Sequence, residues 1–324
     1  MVLVGYKKIN MKNILITGGA GFIGSNLTIE LLRRLDCNII IFDNFSNGKI
    51  HFLDGCDHKK IRVVNGDLLD ELAISNAISG VDMVVHLAAN ADIAASASDL
   101  NLDFNQTIVA TFNLLKAMKH HEIPRMIYAS GSGVYGDLGE FAPTESFGPL
   151  NPVSLYGATK LSAEGLISAF SAMFNISSNI FRFANVVGPN QTHGVVYDFI
   201  RKINDSGCKE LNVLGDGMQS KSYVHVDDVI NAILYVDKIC LDGVNTFNVS
   251  SGDYISVRDI AKIVANEMGL SGLSINYGDL PYGWKGDVPI VRLNDDKLRK
   301  LGWNPSMNSE QAIQMSCRQM LRKQ

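Results

Sequence analysis

The sequence is poor in several things that would each define a class. Only 8 of the 324 residues are proline, which excludes an extended Pro-rich chain. The 5 cysteines (Cys37, Cys56, Cys208, Cys240, Cys317) are odd in number and scattered. No CxxC pair and no Cys/His cluster at zinc spacing occurs, so neither a disulfide framework nor a zinc site is expected. Free thiols of this kind suit a reducing cytoplasm. Neither sign of charge dominates: 29 Lys and Arg against 33 Asp and Glu give a net −4. That leaves no global field for nucleic acid or an anionic membrane, although a local cationic site for a phosphate stays open. No apolar run approaches the roughly 18 residues of a membrane span. Repeats and low-complexity tracts are absent. At 46% hydrophobic and 19% charged, the composition is that of a packable globular chain.

Short β-branched runs alternate with helical patterns through the first half. Strands are expected at Asn13–Thr17, Asn38–Phe42, Ile61–Val64, Met83–Leu87, Met126–Ala129 and Asn179–Phe183. Helices are expected at Ser25–Leu35, Leu69–Ile78, Leu102–His121 and Ser154–Phe174. This alternation implies parallel strands joined by crossover helices, hence an α/β doubly wound sheet. Past Gly188 the rhythm loosens, with helical segments at about 195–206, 227–240, 256–268 and 308–322. The expected organisation is an extension over 1–10 without chemistry, a dinucleotide-binding domain over 11–188, and a smaller lobe over 189–324. Part of that last stretch is allowed to return to the sheet.

Gly18, Gly21 and Gly24 lie in the turn between the first strand and the first helix. A side chain there would keep a pyrophosphate from the helix N-terminus, where Phe22 and Ile23 present backbone N–H groups. Asp43 ends the second strand, followed by Asn44. An acid at this point accepts hydrogen bonds from ribose hydroxyls and repels a 2′-phosphate, which favours NAD over NADP. Asp67, with Leu68 after the third strand, either meets the adenine or caps the next helix. Tyr156 and Lys160 lie one helical turn apart at the start of the helix after the fifth strand, within reach of a nicotinamide at the sheet's carboxyl edge. A phenol titrates near 10, so a base for neutral pH needs that value lowered by about 2–3 pH units. The Lys160 ammonium and a positive nicotinamide both act in that direction.

Together with HLAA (His86–Ala89), Asn105 and Thr111–Leu115, Ser130–Asp137, Arg182–Pro189 and Gly215–Val229, these residues resemble the extended short-chain dehydrogenase/reductase family. The branch is that of UDP-galactose 4-epimerase-like nucleotide-sugar epimerases and dehydratases, and the likeness runs from about Met11 to Trp303. It implies a Rossmann-type sheet with a smaller C-terminal α/β substrate lobe. It makes Tyr156 the general base and acid, and Lys160 its partner and a nicotinamide-ribose ligand. Leu87, Ala88, Ala89 and Asn105 would line the dinucleotide path. Asn185, His193, Val195, Lys221 and Lys285 would contact a nucleotide-diphosphate sugar. It further implies a homodimer built on the helices after strands four and five, with Leu114, Leu115, Met118, Leu161 and Leu166 as candidates for its face.

Three departures from the family pattern matter. Many relatives carry a Ser or Thr hydroxyl where this chain has Gly131; Ser130, Ser132 or a water would stand in, with Ser132 preferred. The dehydratases' Asp-Glu, which moves protons at C5 and C6, is replaced by Ser132-Gly133. The diphosphate-binding arginines become Lys221 and Trp284, the latter beside Lys285, and Ser222 stands for the usual Asp. Lysine binds phosphate as a point charge without arginine's fork. The expected activity is NAD-dependent 4-epimerisation of a nucleotide-sugar through a transient 4-keto sugar. A C4 dehydrogenase that releases the ketose is the alternative, a 4,6-dehydratase is less favoured, and a non-catalytic NAD(H) sensor is the reading from another class.

Overall fold

The computed structural model describes residues 12–90, 99–239, 241–284 and 286–322. The expected 1–10 extension and Lys285 lie outside them. The first half alternates except between β2 and β3, which only short 3₁₀ turns separate: β1 (Asn13–Thr17), α1 (Phe22–Arg34), β2 (Asn38–Asp43), β3 (Ile61–Asn65), α2 (Glu71–Ile78) and β4 (Met83–His86). Next come α3 (Leu100–Asp103), a π-helix (Phe104–Val109), α4 (Ala110–His120), β5 (Arg125–Gly131), α5 (Leu155–Phe174) and β6 (Ser177–Phe183). The second half holds β7 (Asn185–Val187), α6 (Val195–Asp205), β8 (Glu210–Val213), β9 (Ser220–Lys221), β10 (Tyr223–His225) and α7 (Val226–Lys238). It ends with β11 (Val244–Val249), β12 (Ile255–Ser256), α8 (Val257–Glu267), β13 (Ser274–Tyr277), β14 (Ile290–Val291), α9 (Asp296–Lys300) and α10 (Ser309–Leu321).

Seven strands form one parallel sheet in the order β11-β6-β5-β4-β1-β2-β3. The order reverses between β1 and β4, where the carboxyl ends splay and ligands of such sheets bind. Fully apolar runs such as the buried Ile39–Phe42 and Met83–Val85 suit strands covered by helices on both faces. One face packs under α1 and α7, through Leu27, Leu31, Val229 and Ile233. The other packs under α2, α4 and α5, through Ile74, Leu114, Met118 and Ile167.

The strand β11, from beyond residue 188, completes this sheet beside β6 in parallel register from Val244↔Ser178 to Val249↔Phe183. A separate core of Val196, Phe199, Leu211, Ile260, Ile313 and Met320 defines the smaller lobe, around α6, α8 and α10. The helix expected over 102–121 is broken into α, π and α pieces, the π turn running from Phe104 to Val109. Such turns accommodate one extra residue and re-aim the side chains around them. Leu114, Leu115 and Met118 are wholly buried in the domain's own core, so they do not face a partner subunit. Exposed apolar residues of these helices include Leu100, Phe104, Phe112, Met173 and Phe174.

Candidate active site

The glycine turn is shaped by collisions that glycine alone avoids. Gly18 has φ +68°, and a Cβ there would lie 2.8 Å from the Ala88 backbone nitrogen. A Cβ on Gly24 would overlap the Gly18 carbonyl oxygen and lie 2.6 Å from Gly19 Cα. Helix α1 follows Gly21 at its N-cap, carries no side-chain cap and has no acid in its first turn, while Arg33 and Arg34 lie at its far end. Its first-turn N–H groups, those of Phe22 and Ile23 included, and its positive dipole end are thus suited to an anion.

Asp43 closes one side of this cradle. Its carboxylate accepts from the backbone N–H of Ala20 and of Phe45, both at 2.9 Å. A carboxylate offers about four lone-pair positions, so capacity for ribose hydroxyls remains. Asn44 donates to Asp67 at 3.0 Å, joining the ends of β2 and β3. Asp67 also accepts from the Leu69 N–H at 2.9 Å, but the cap of α2 is Asp70, which accepts from Leu72 and Ala73. The capping alternative for Asp67 is thereby corrected. Leu68 is buried and its carbonyl accepts from Asn113 at 3.1 Å. Leu87 and Ala88 follow β4; the N–H of Leu87 is held by the Thr17 carbonyl at 3.1 Å. Ala89 is half-buried beside them, as is Asn105, whose carbonyl accepts inside the π-helix. The cradle without side chains, the uncapped helix and the acid at the end of β2 fit a dinucleotide with unmodified ribose.

Sequence reading gave no role to His86, which is buried between Thr17 at 2.7 Å and Thr111 at 3.0 Å. Burial and the charge of Lys160 push its pKa down to about 3, so it bridges β1 and α4 as a neutral ring.

Tyr156 and Lys160 open α5, capped by Ser154. The Lys160 ammonium is buried, donates to the Ala129 carbonyl at 2.8 Å, and lies 5.7 Å from the centre of the Tyr156 ring. Burial lowers its pKa to about 8, although the negative charges of Asp103 and Glu164 oppose this. Tyr156 keeps a partly exposed surface, yet enclosure of its phenol, followed by the charge of Asp103, pushes its pKa up to about 12. The expected lowering of the phenol is not met for the protein by itself: burial, then the charge of Asp103, both act upward. Asp103 was also missed. It is wholly buried and accepts from Asn90 at 2.9 Å; in the sequence it is one more acid in a helical stretch.

A Cβ on Gly131 would sit 4.0 Å from the Tyr156 hydroxyl, so β5 ends directly beside the phenol. Ser132 follows, half-buried, at the start of a short 3₁₀ turn. The catalytic expectation for Ser130 is overturned. Its hydroxyl is buried and donates to Glu164 at 2.5 Å, away from the phenol. Glu164 was legible as the next member of an i, i+4 series with Tyr156 and Lys160.

The lobe residues are spread over several elements. Asn185 is half-buried on β7, and its side chain donates to the Ser222 carbonyl at 3.3 Å. His193 is exposed on the loop before α6, and Val195 is that helix's first residue. Lys221 pairs with the nearly buried Asp287 at 2.6 Å, so a diphosphate would compete with that carboxylate for it. No cluster of metal-ligating side chains occurs among the described residues, and no described helix is long and apolar enough to cross a membrane.

The switch-point cradle and the tyrosine–lysine pair beside it define an NAD-dependent enzyme of the extended short-chain dehydrogenase/reductase type. The NAD dependent epimerase/dehydratase family model matches residues 14–249, and the chain belongs to that family. It is 31% identical over 309 residues to a Methanocaldococcus jannaschii protein designated a candidate UDP-glucose 4-epimerase, covering 93% of this chain and 95% of that one. The crystal structure of a UDP-galactose 4-epimerase superposes with a TM-score of 0.84 at 34% identity, over 96% of this chain and 99% of the other. A dTDP-glucose 4,6-dehydratase from Streptomyces venezuelae, solved with NAD, superposes with a TM-score of 0.86 at 26% identity, over 96% and 97%.

Proposed function

We propose that this chain is a nucleotide-sugar 4-epimerase that works through a transient 4-keto sugar. The observation that carries the reading is the pairing of Tyr156 and Lys160 beside a β5 terminus that bears Gly131, Ser132 and Gly133 and no carboxylate. A proton can be taken from a sugar hydroxyl and returned there. Water elimination would need an acid and a base of its own. The named epimerase relatives support the same choice over the dehydratase. The substrate class, a nucleotide diphosphate joined to a sugar, follows from those relatives together with Asn185, Val195 and Lys221 around the lobe. A C4 dehydrogenase shares the first half-reaction and differs only in releasing the ketose.

The Gly18–Gly24 turn, the first turn of α1 and Asp43 would hold NAD, which would supply a hydride acceptor and a positive charge. Tyr156, as phenolate, accepts the proton of the C4 hydroxyl and later gives it back. Lys160 holds a positive charge beside the phenolate and is itself fixed by the Ala129 carbonyl. Ser132 is the hydroxyl available to share the sugar's proton. His86, neutral throughout the working range, keeps the floor of the site in one arrangement. The exposed aromatic stripe, where Phe112 and Phe170 meet edge to face at 5.9 Å, would join two copies into a homodimer.

The test is a panel of UDP-, dTDP-, GDP- and CDP-sugars, heptoses included, with product NMR. An epimer formed without consumption of NAD supports the reading. A released ketose with stoichiometric NADH replaces it by the dehydrogenase, and bound dinucleotide with no turnover of any sugar replaces it by the sensor.

A further inference from the structure

Behind Tyr156 lies a polar network on which no part of the mechanism draws. Glu164, one turn beyond Lys160 on α5, accepts from Arg182 of β6 at 3.0 Å and 2.6 Å. A buried ion pair is poor evidence for stability, because desolvation offsets much of its attraction. The other bonds of this pair are more telling. Ser130 donates to Glu164 at 2.5 Å, and Arg182 donates to the Tyr135 hydroxyl at 2.9 Å. Tyr135 in turn donates to Asn248 of β11 at 2.7 Å. All five side chains are buried.

Ser130 and Tyr135 are the two ends of the turn that faces the phenol. Between them, Gly131 and Gly133 have no side chain with which to grip anything. A Cβ at 131 would meet only the Phe183 carbonyl oxygen at 3.9 Å and the Tyr156 hydroxyl at 4.0 Å, and one at 133 would lie 3.9 Å from Tyr156 Cδ1. The turn is thus open at Gly131, while the Gly133 carbonyl packs closely on Gly157 of α5 and Val134 is buried; the polar anchors are Ser130 and Tyr135.

We propose that the Glu164–Arg182 pair is a positioning element that sets the 131–133 turn against Tyr156, with Ser130 and Tyr135 as its two tethers. Asn248 extends the same tether. It accepts Tyr135, and its Nδ2 donates to the carbonyls of Pro143 and Asn294 at 2.9 Å and 2.8 Å. The turn is therefore referred to both the catalytic helix and the far edge of the sheet. The kinetic part of this inference rests on the epimerase reading; the structural part does not.

Ser130→Ala and Tyr135→Phe each remove one tether and leave the ion pair in place. Each is expected to lower kcat at least 10-fold, with KM for the sugar and Kd for NAD within twofold of the parent. Each should also speed amide hydrogen exchange across 131–135. Ser130→Thr should restore both properties. Variants that melt at a lower temperature but keep the parental kcat and exchange would overturn the proposal and leave a packing network. If no nucleotide-sugar is turned over by the parent chain, the functional reading fails, and the exchange measurement alone decides whether the tether exists.

Discussion

Two turns at the carboxyl edge of one sheet both depend on glycine, for opposite reasons. In the turn after β1, a Cβ at position 24 would run into the backbone of residues 18 and 19, and Gly18 needs a left-handed φ of +68°. In the turn after β5, Gly131 is extended at φ −154° and a Cβ there meets nothing closer than 3.9 Å. The first turn is held by its own close packing. The second leaves space beside Gly131, rests on the α5 backbone through Gly133, and is bonded at its two ends through the Ser130 and Tyr135 side chains. A cofactor cradle must present backbone to a phosphate, whereas a substrate wall must leave room beside a base.

The sharpest way to break this comparison is at the base itself. Tyr156→Phe should reduce turnover on the order of 10²- to 10⁴-fold while NAD titration remains close to the parent. An unchanged rate would remove Tyr156 from its role. Next in size is Gly24→Ala, which forces a methyl group into the turn's backbone. It should cost about 3 kcal/mol in denaturant unfolding and weaken NAD binding.

Charge around the second turn gives the next effect. Lys160 holds its proton below about pH 8, so kcat/KM should fall as pH rises through that value. Asp103 raises both Tyr156 and Lys160. Asp103→Asn therefore lowers both, and the acid and alkaline limbs of the profile should move together to lower pH. Limbs that move apart would show that Asp103 does not act on the pair by its charge. The smallest effect belongs to Gly131→Ala. The extended backbone accepts alanine, so stability should rise by about 0.5 kcal/mol; a loss comparable to that at Gly24 would erase the contrast between the turns.

Much of the fold was legible because strands buried on both faces leave uninterrupted apolar runs, as Asn13–Thr17 does. The strand β11 was not: VNTFNV mixes polar and apolar residues, and its partner β6 lies far back in the chain. The π turn was equally hidden, since an extra residue in a helix leaves no compositional mark. At the site, glycine spacing and the Tyr156–Lys160 pair could be read from local position. The engagement of Ser130 with Glu164 could not, because only packing decides which helix covers the face of β5 that carries Ser130.

Sequence by itself determined the class of sheet, the glycine turn and the pairing of Tyr156 with Lys160, since each depends on residues close together in the chain and on spacing a helix or turn converts directly into geometry. Tertiary structure decided the directions in which burial shifts that pair, and the partners of Ser130, Lys221 and Asp103. Those depend on how completely water is excluded and on which distant charges are brought near, and both arise only when β5, α5, β6 and β11 close around the same interior.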